Sequence, residues 1–257
     1  MSTADDARAL VRLLWRAEVE AGGDAASPAA PRRGPRQRVT VDEIVGVAVD
    51  IADARGLAAV SMRALATELG MGPMSLYTYV PSRDVLVALM VDRVAADAPM
   101  PVRSTTAIDS LDGVARALRA EYLAHPWLLD ASSWRQVLGP HRLRRYELQL
   151  EILEGLDISD LERDNIIALV SSFVTGNARD ALSARSAVAD SGLSDERWWE
   201  VVGPELSSVM PADAFPLSGR VGTAVGEHHQ APGAPDDAFE FGLARVLYGL
   251  RPLVGES

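Results

Sequence analysis

The chain contains no cysteine and no lysine. Without thiols it has no disulfide, no thiolate metal site and no cysteine nucleophile. All 25 of its basic side chains are therefore arginines, which favour forked contacts to carboxylates, phosphates and guanine edges. Aromatic residues are scarce at 5%. No apolar run approaches the roughly 18 residues that a spanning helix needs, so no membrane partner is expected. The first residues, "MSTADDARALVRLLWRAEVEAGG", are acidic at the start and charged within the apolar part, unlike a secretory signal; a cytoplasmic protein is expected. Strict apolar–polar alternation with β-branched residues is also missing, which points to an all-α fold. No phosphate-binding glycine loop, dinucleotide fingerprint, G-x-S-x-G elbow or H-E-x-x-H is present. No enzyme is expected, hence no catalytic residue and no cofactor. The four histidines are His125, His141, His228 and His229. The adjacent pair cannot present both rings on one helical face and falls in a presumed loop, so no metal site is expected either.

What is present is an uneven charge. The formal net charge is −11, which by itself argues against nucleic acid. The stretch from Arg32 to Arg83, however, carries seven arginines against five carboxylates, and the acidity sits mainly after residue 100. Residues 1–38 read as an N-terminal extension: an amphipathic helix over 5–20 bearing Leu10, Leu14 and Trp15, then a linker over 21–38 rich in Pro, Gly and Arg. The helix is expected to dock on the C-terminal domain, and "RRGPRQR" is a candidate minor-groove arm. Residues 39–97 form the next domain and 98–257 the last. Helical patterns run over about 107–125, 127–136, 141–155, 159–188, 195–202 and 236–251, with a long Pro/Gly-rich loop expected over 203–235.

Within 39–97, Thr40 and Glu43 make a capping-box pattern ahead of Ile44, Val47, Ala48 and Ile51. Ser61 can cap a second helix that Gly70 ends. "PMSLYTYV" makes a very short third helix, and a fourth starts near Ser82. Two short helices joined by a tight Gly-containing turn are the geometry of a helix-turn-helix, whose second helix enters the major groove. Tyr77 and Tyr79 would then aim their hydroxyls at phosphate oxygens, which fixes register without reading sequence.

The residues "ADARGLAAVSMRALATELGMGPMSLYTYVPSRDVLVALM" closely resemble the DNA-binding domain of the tetracycline-repressor family of bacterial transcription regulators. The resemblance implies a base-reading role for Arg63, whose fork matches guanine O6 and N7. It places Pro73, Met74 and Ser75 at the exposed start of the recognition helix, and Thr40, Ser61, Tyr77, Tyr79 and Arg83 at phosphate-contacting positions. Thr78 faces bases or backbone. Pro73 and Met74 carry no side-chain hydrogen-bonding group, so polar readout falls to Arg63 and Ser75. "AEYLAHPWLL", "GPHRLRRYELQLEILEGLDIS" and "FEFGLARVLYGL" resemble the ligand-binding domain of the tetracycline repressors. Tyr122, Trp127, Trp134, Tyr146, Gln149 and Phe173 are the candidate pocket residues. Gln149 falls where those relatives place a polar contact, whereas their magnesium-binding His has no counterpart.

The implied protein is a homodimeric repressor on a palindromic double-stranded operator, released by a small-molecule effector. The alternative is a small-molecule-binding or scaffolding protein that no longer binds DNA. The last helix presents Phe239, Leu243, Val246, Leu247 and Leu250 as an apolar stripe, which the resemblance assigns to a dimer four-helix bundle shared with the helix near 159–188.

Overall fold

The computed structural model of the chain describes residues 4–18, 39–99, 103–131, 137–211 and 213–255. Among them every regular element is helical: α1 (Ala4–Leu14), α2 (Val41–Arg55), α3 (Met62–Glu68), α4 (Pro73–Leu76), α5 (Arg83–Asp97), α6 (Ala107–Ala124), α7 (Pro140–Leu153), α8 (Asp160–Ser191), α9 (Asp195–Val209), α10 (Pro216–His229) and α11 (Pro235–Leu250). Short 3₁₀ turns at Leu57–Ala59 and Pro126–Leu128 complete the set. The second of these stands where a longer helix over 127–136 is expected. The chain divides into two compact units, Met1–Leu156 and Asp157–Ser257, so α6 and α7 group with the N-terminal helices.

In the first unit α2 begins with a reciprocal cap. The Thr40 hydroxyl accepts from the Glu43 amide at 3.1 Å, and the Thr40 amide donates to the Glu43 carboxylate at 2.6 Å. Its apolar face then delivers Ile44, Ala48 and Ile51 to a core that also takes Leu65, Leu76, Val80, Leu86 and Met90. The N-terminal extension joins the same core: Leu10 and Leu14 are each 3% exposed, and α1 packs on α5. After a turn at Trp15, residues 16–18 are helical again. The Trp15 indole N–H donates to the Leu138 carbonyl at 3.1 Å, and Arg16 pairs with Asp42. The extension thus docks on the helix-turn-helix unit and the entry to α7. The reason lies in shape: α1 is short, and its two buried leucines one turn apart fill an apolar face of α5. The linker over 21–38, with "RRGPRQR", lies outside the described residues.

In the second unit α8 opens with another capping box, Ser159 with Glu162. Hydrogen bonds from Ser159 hold the exposed Glu162 carboxyl below its usual range. Helix α11 pairs with α8. Phe239 stacks on Phe173 at 5.8 Å between ring centroids, next to Gly242, where an added Cβ would lie 2.4 Å from the Phe173 ring. Buried Asn177 donates to the Pro235 carbonyl at 2.7 Å and fixes the start of α11. Phe239, Leu243, Leu247 and Leu250 are all buried within the chain. This corrects the expectation that these side chains form the dimer surface. The face left open on α11 carries Phe241, 66% exposed, and Tyr248, 71% exposed, with the Arg245 guanidinium over the Phe241 ring.

The stretch 203–235 is also not the loop its composition implies. Helix α9 continues through Pro204 to Val209, and α10 occupies Pro216–His229. Two glycines of α10, Gly219 and Gly226, are contact positions. A Cβ at Gly226 would lie 2.3 Å from the Trp199 ring, and one at Gly219 would lie 3.2 Å from Met210 Cε. Glycine permits α9 and α10 to approach there, and Pro216 suits a first helical turn, where no amide partner is lost.

Candidate DNA interface and its connections

The helix-turn-helix is built from α3 and α4. Ser61 caps α3, its hydroxyl accepting from the Ala64 amide at 3.1 Å. Gly70 ends the helix in the left-handed region at φ 63°, a conformation that glycine adopts without the Cβ clash. The Met71 amide then closes the turn on the Ala66 carbonyl at 2.9 Å. Pro73 begins α4, and Leu76 and Val80 anchor its underside with no exposure at all.

Most of the predicted set faces outward on this motif. Ser61, Arg63, Pro73, Met74, Ser75, Tyr77 and Thr78 are exposed, Met74 at 79% and Tyr77 at 43%. Exposure of a methionine to that degree leaves a large apolar surface that no described residue covers. Tyr79 is half-buried against the core, so less of its ring is available than of Tyr77. The Thr78 hydroxyl donates to the Ser75 carbonyl at 2.6 Å, which leaves its oxygen lone pairs for an outside donor. Thr40 is exposed and engaged in its capping box. Arg83 is exposed too and has a further task within the fold. Its Nε donates to the Val60 carbonyl and its Nη2 to the Leu57 carbonyl, both at 2.8 Å. The guanidinium therefore staples the start of α5 to the turn that precedes α3.

Two carboxylates on the helices that flank the helix-turn-helix, α2 and α5, reach the elements that follow. Asp53, in the last turn of α2, accepts from the Trp127 indole at 2.7 Å and lies 2.8 Å from His125 Nδ1. Asp92, buried on α5, accepts from the Arg142 amide at 3.0 Å and lies 2.9 Å from His141 Nδ1. It acts as a cap for α7 supplied from another helix. Gly139, the α7 N-cap, has no side chain of its own, and a Cβ there would overlap the Asp92 carboxyl at 2.3 Å. Neither aspartate stands out in the sequence, because its partners are 49 to 74 residues away.

The described candidate effector residues fall in both units. Trp127 is 1% exposed and lies in the helix-turn-helix core, so its ring has no face left for a ligand; its place in the fold is the Asp53 contact. Tyr122 packs half-buried against the same core. Tyr146 is half-buried on α7. Gln149 lines a cavity of about 70 Å³ with Arg103, Val114, Leu148, Glu151 and Ile152. Phe173 lies in the second unit, stacked on Phe239. Trp134 lies outside the described residues. Sequence reasoning passed over the polar cluster beside Tyr122. Burial pulls the Arg142 guanidinium below its usual range, and Arg145 pairs with Glu121 while its Nε is buried without a partner.

Comparison with known proteins agrees with this geometry. Residues 38–90 match the model of the bacterial regulatory proteins of the tetR family, and residues 100–254 match the tetracyclin repressor-like C-terminal domain. The HTH-type transcriptional repressor DrrR1 of Streptomyces coeruleorubidus is 36% identical over 228 residues, which cover 88% of this chain and 82% of that protein. A transcriptional repressor of Mycobacterium tuberculosis, Rv1353c, is 27% identical over 90% of this chain and 87% of its own length. Among solved structures, apo ActR from Streptomyces coelicolor is 30% identical with a TM-score of 0.65, covering 87% of this chain and all of that one. ActR in complex with actinorhodin superposes with a TM-score of 0.66 at the same identity and coverage. The chain belongs to the tetracycline-repressor family of bacterial transcription regulators.

Proposed function

We propose that this protein is a homodimeric repressor that reads a near-palindromic operator through α3 and α4 and leaves it when an organic effector binds the helices beyond α5. The carrying observation is the outward face of the helix-turn-helix, where Arg63 and Ser75 offer polar readout beside the exposed Met74. Arg63 supplies the forked contact to guanine, Met74 an apolar contact such as a thymine methyl, Ser61 and Tyr77 the hydroxyls that donate to phosphate, and Thr78 an acceptor for a base amino group. That ActR was solved with actinorhodin and with (S)-DNPA supports an organic effector.

Release requires that the effector bind one arrangement of the heads better than the other. The Asp53 and Asp92 contacts supply the connection. They hold α2 and α5 to the turn at Pro126–Leu128 and to the start of α7, so a shift of α6 or α7 carries the reading head with it. Nuclease footprinting of the DNA flanking the protein's own gene tests the reading. Two symmetric half-sites, centred about 34–36 Å apart, are expected to be protected. Absence of any protected site there, in the regions controlling neighbouring genes and in DNA selected from random pools would overturn it.

A further inference from the structure

Two of the four histidines are occupied by Asp53 and Asp92. The other two, His228 and His229, close α10, with ring centroids 4.6 Å apart and nearly perpendicular. The residue after them, Gln230, turns left-handed at φ 52° and ends the helix. The chain then runs directly into α11, whose first turn brings Asp237 back toward the pair. One ligand atom from each of His228, His229 and Asp237 lies within 4.8 Å of the other two, the one such trio among the described residues.

We infer that His228, His229 and Asp237 form a site for a divalent transition-metal ion of the zinc class. Three observations support this. His229 Nδ1 and the Asp237 carboxylate stand 3.4 Å apart. That is long for a hydrogen bond but matches the edge of a tetrahedron of ligands about 2.0–2.1 Å from a central ion, roughly 3.3–3.4 Å. The histidines occupy the last turn of α10, where the exposed carbonyl ends favour positive charge. Finally, His229 borders an open depression of about 430 Å³ whose wall also carries Asp195, Glu196 and Asp236. The negative potential draws a cation in and the volume leaves room for water in the remaining coordination positions. Imidazole nitrogens select zinc, nickel, cobalt or copper over magnesium and calcium, which prefer oxygen. A bound ion ties the end of α10 to the first turn of α11, one turn before Phe241.

The test uses the full chain without a histidine tag. Zinc is titrated calorimetrically and cobalt by its visible absorption, at neutral pH. One ion per chain is expected, with an intense cobalt band typical of four-coordination. His228→Ala and Asp237→Asn should each weaken binding at least tenfold, and the His228→Ala/His229→Ala pair should abolish both the band and any zinc-induced rise in melting temperature. His141→Ala, which removes an imidazole elsewhere, should keep the stoichiometry. These side chains are largely at the surface, so helical circular dichroism should confirm folded variants. No uptake up to about 1 mM zinc, or equal affinity in the double variant, would overturn the site.

Discussion

Resemblance to the family gives Arg63 and Arg83 the same expectation of DNA contact, yet the fold places them differently. Arg63 projects outward from α3. Arg83 spends two donors on carbonyls 23 and 26 residues earlier in the chain. Local spacing reveals which residue types stand on a helix, but it does not reveal acceptors that only folding brings near. Hydrogen bonds from a charged donor contribute about 1.5–3 kcal/mol each at most, and less where water competes. Arg83→Ala should therefore lower the denaturation free energy by about 1–3 kcal/mol, read from urea melts. A loss of operator affinity with no loss of stability would instead return Arg83 to the phosphate-binding role.

At the scale of elements, what was legible followed periodicity and capping. The box Thr40/Glu43, the Ser61 cap and the Gly70 stop all stand at helix ends in the structure. What was not legible is glycine used for helix contact. Gly219 and Gly226 read as loop signals, and they lie instead within α10, against Met210 and Trp199. Gly226→Leu should push α10 off Trp199 and cost about 1–3 kcal/mol, the typical penalty of overpacking. Tryptophan fluorescence during thermal unfolding would follow it; an unchanged melt would mean that α10 does not rest there. A similar limit applies to Asp92, whose capping of α7 depends on an empty space at Gly139. Asp92→Ala removes an acceptor from a helix start, a loss of about 1–2 kcal/mol in stability. It should also reduce the effector's ability to release DNA while leaving operator affinity without effector within a few-fold. Retained full release would disconnect this contact from signalling.

For the whole molecule, the stripe assigned to dimer contact proved to be the inside of the α8–α11 pair. Periodicity finds an apolar face but cannot say whether the same chain or a second copy covers it. Leu247→Glu would consequently unfold the second unit rather than separate subunits. The exposed Phe241 and Tyr248 mark the better dimer surface, and a two-fold interface repeats them on both copies. The Phe241→Glu/Tyr248→Glu variant should remain helical, elute as a monomer in light-scattering chromatography and lose operator binding. A folded dimer would move the interface to another face.

The net charge of −11 acts over the whole molecule as well. It opposes approach to DNA at long range, while the reading face supplies attraction at contact. Binding should thus weaken steeply with salt, as phosphate contacts release counterions. The most direct measurement is fluorescence anisotropy of wild type and Arg63→Ala on the footprinted operator and on single-base variants, at several salt concentrations. The account predicts that Arg63→Ala costs about 1–3 kcal/mol and flattens preference at one base pair in each half-site, with the salt slope nearly unchanged. Equal affinity and unaltered preference in the variant would contradict the assignment of α3 and α4 as the reading surface.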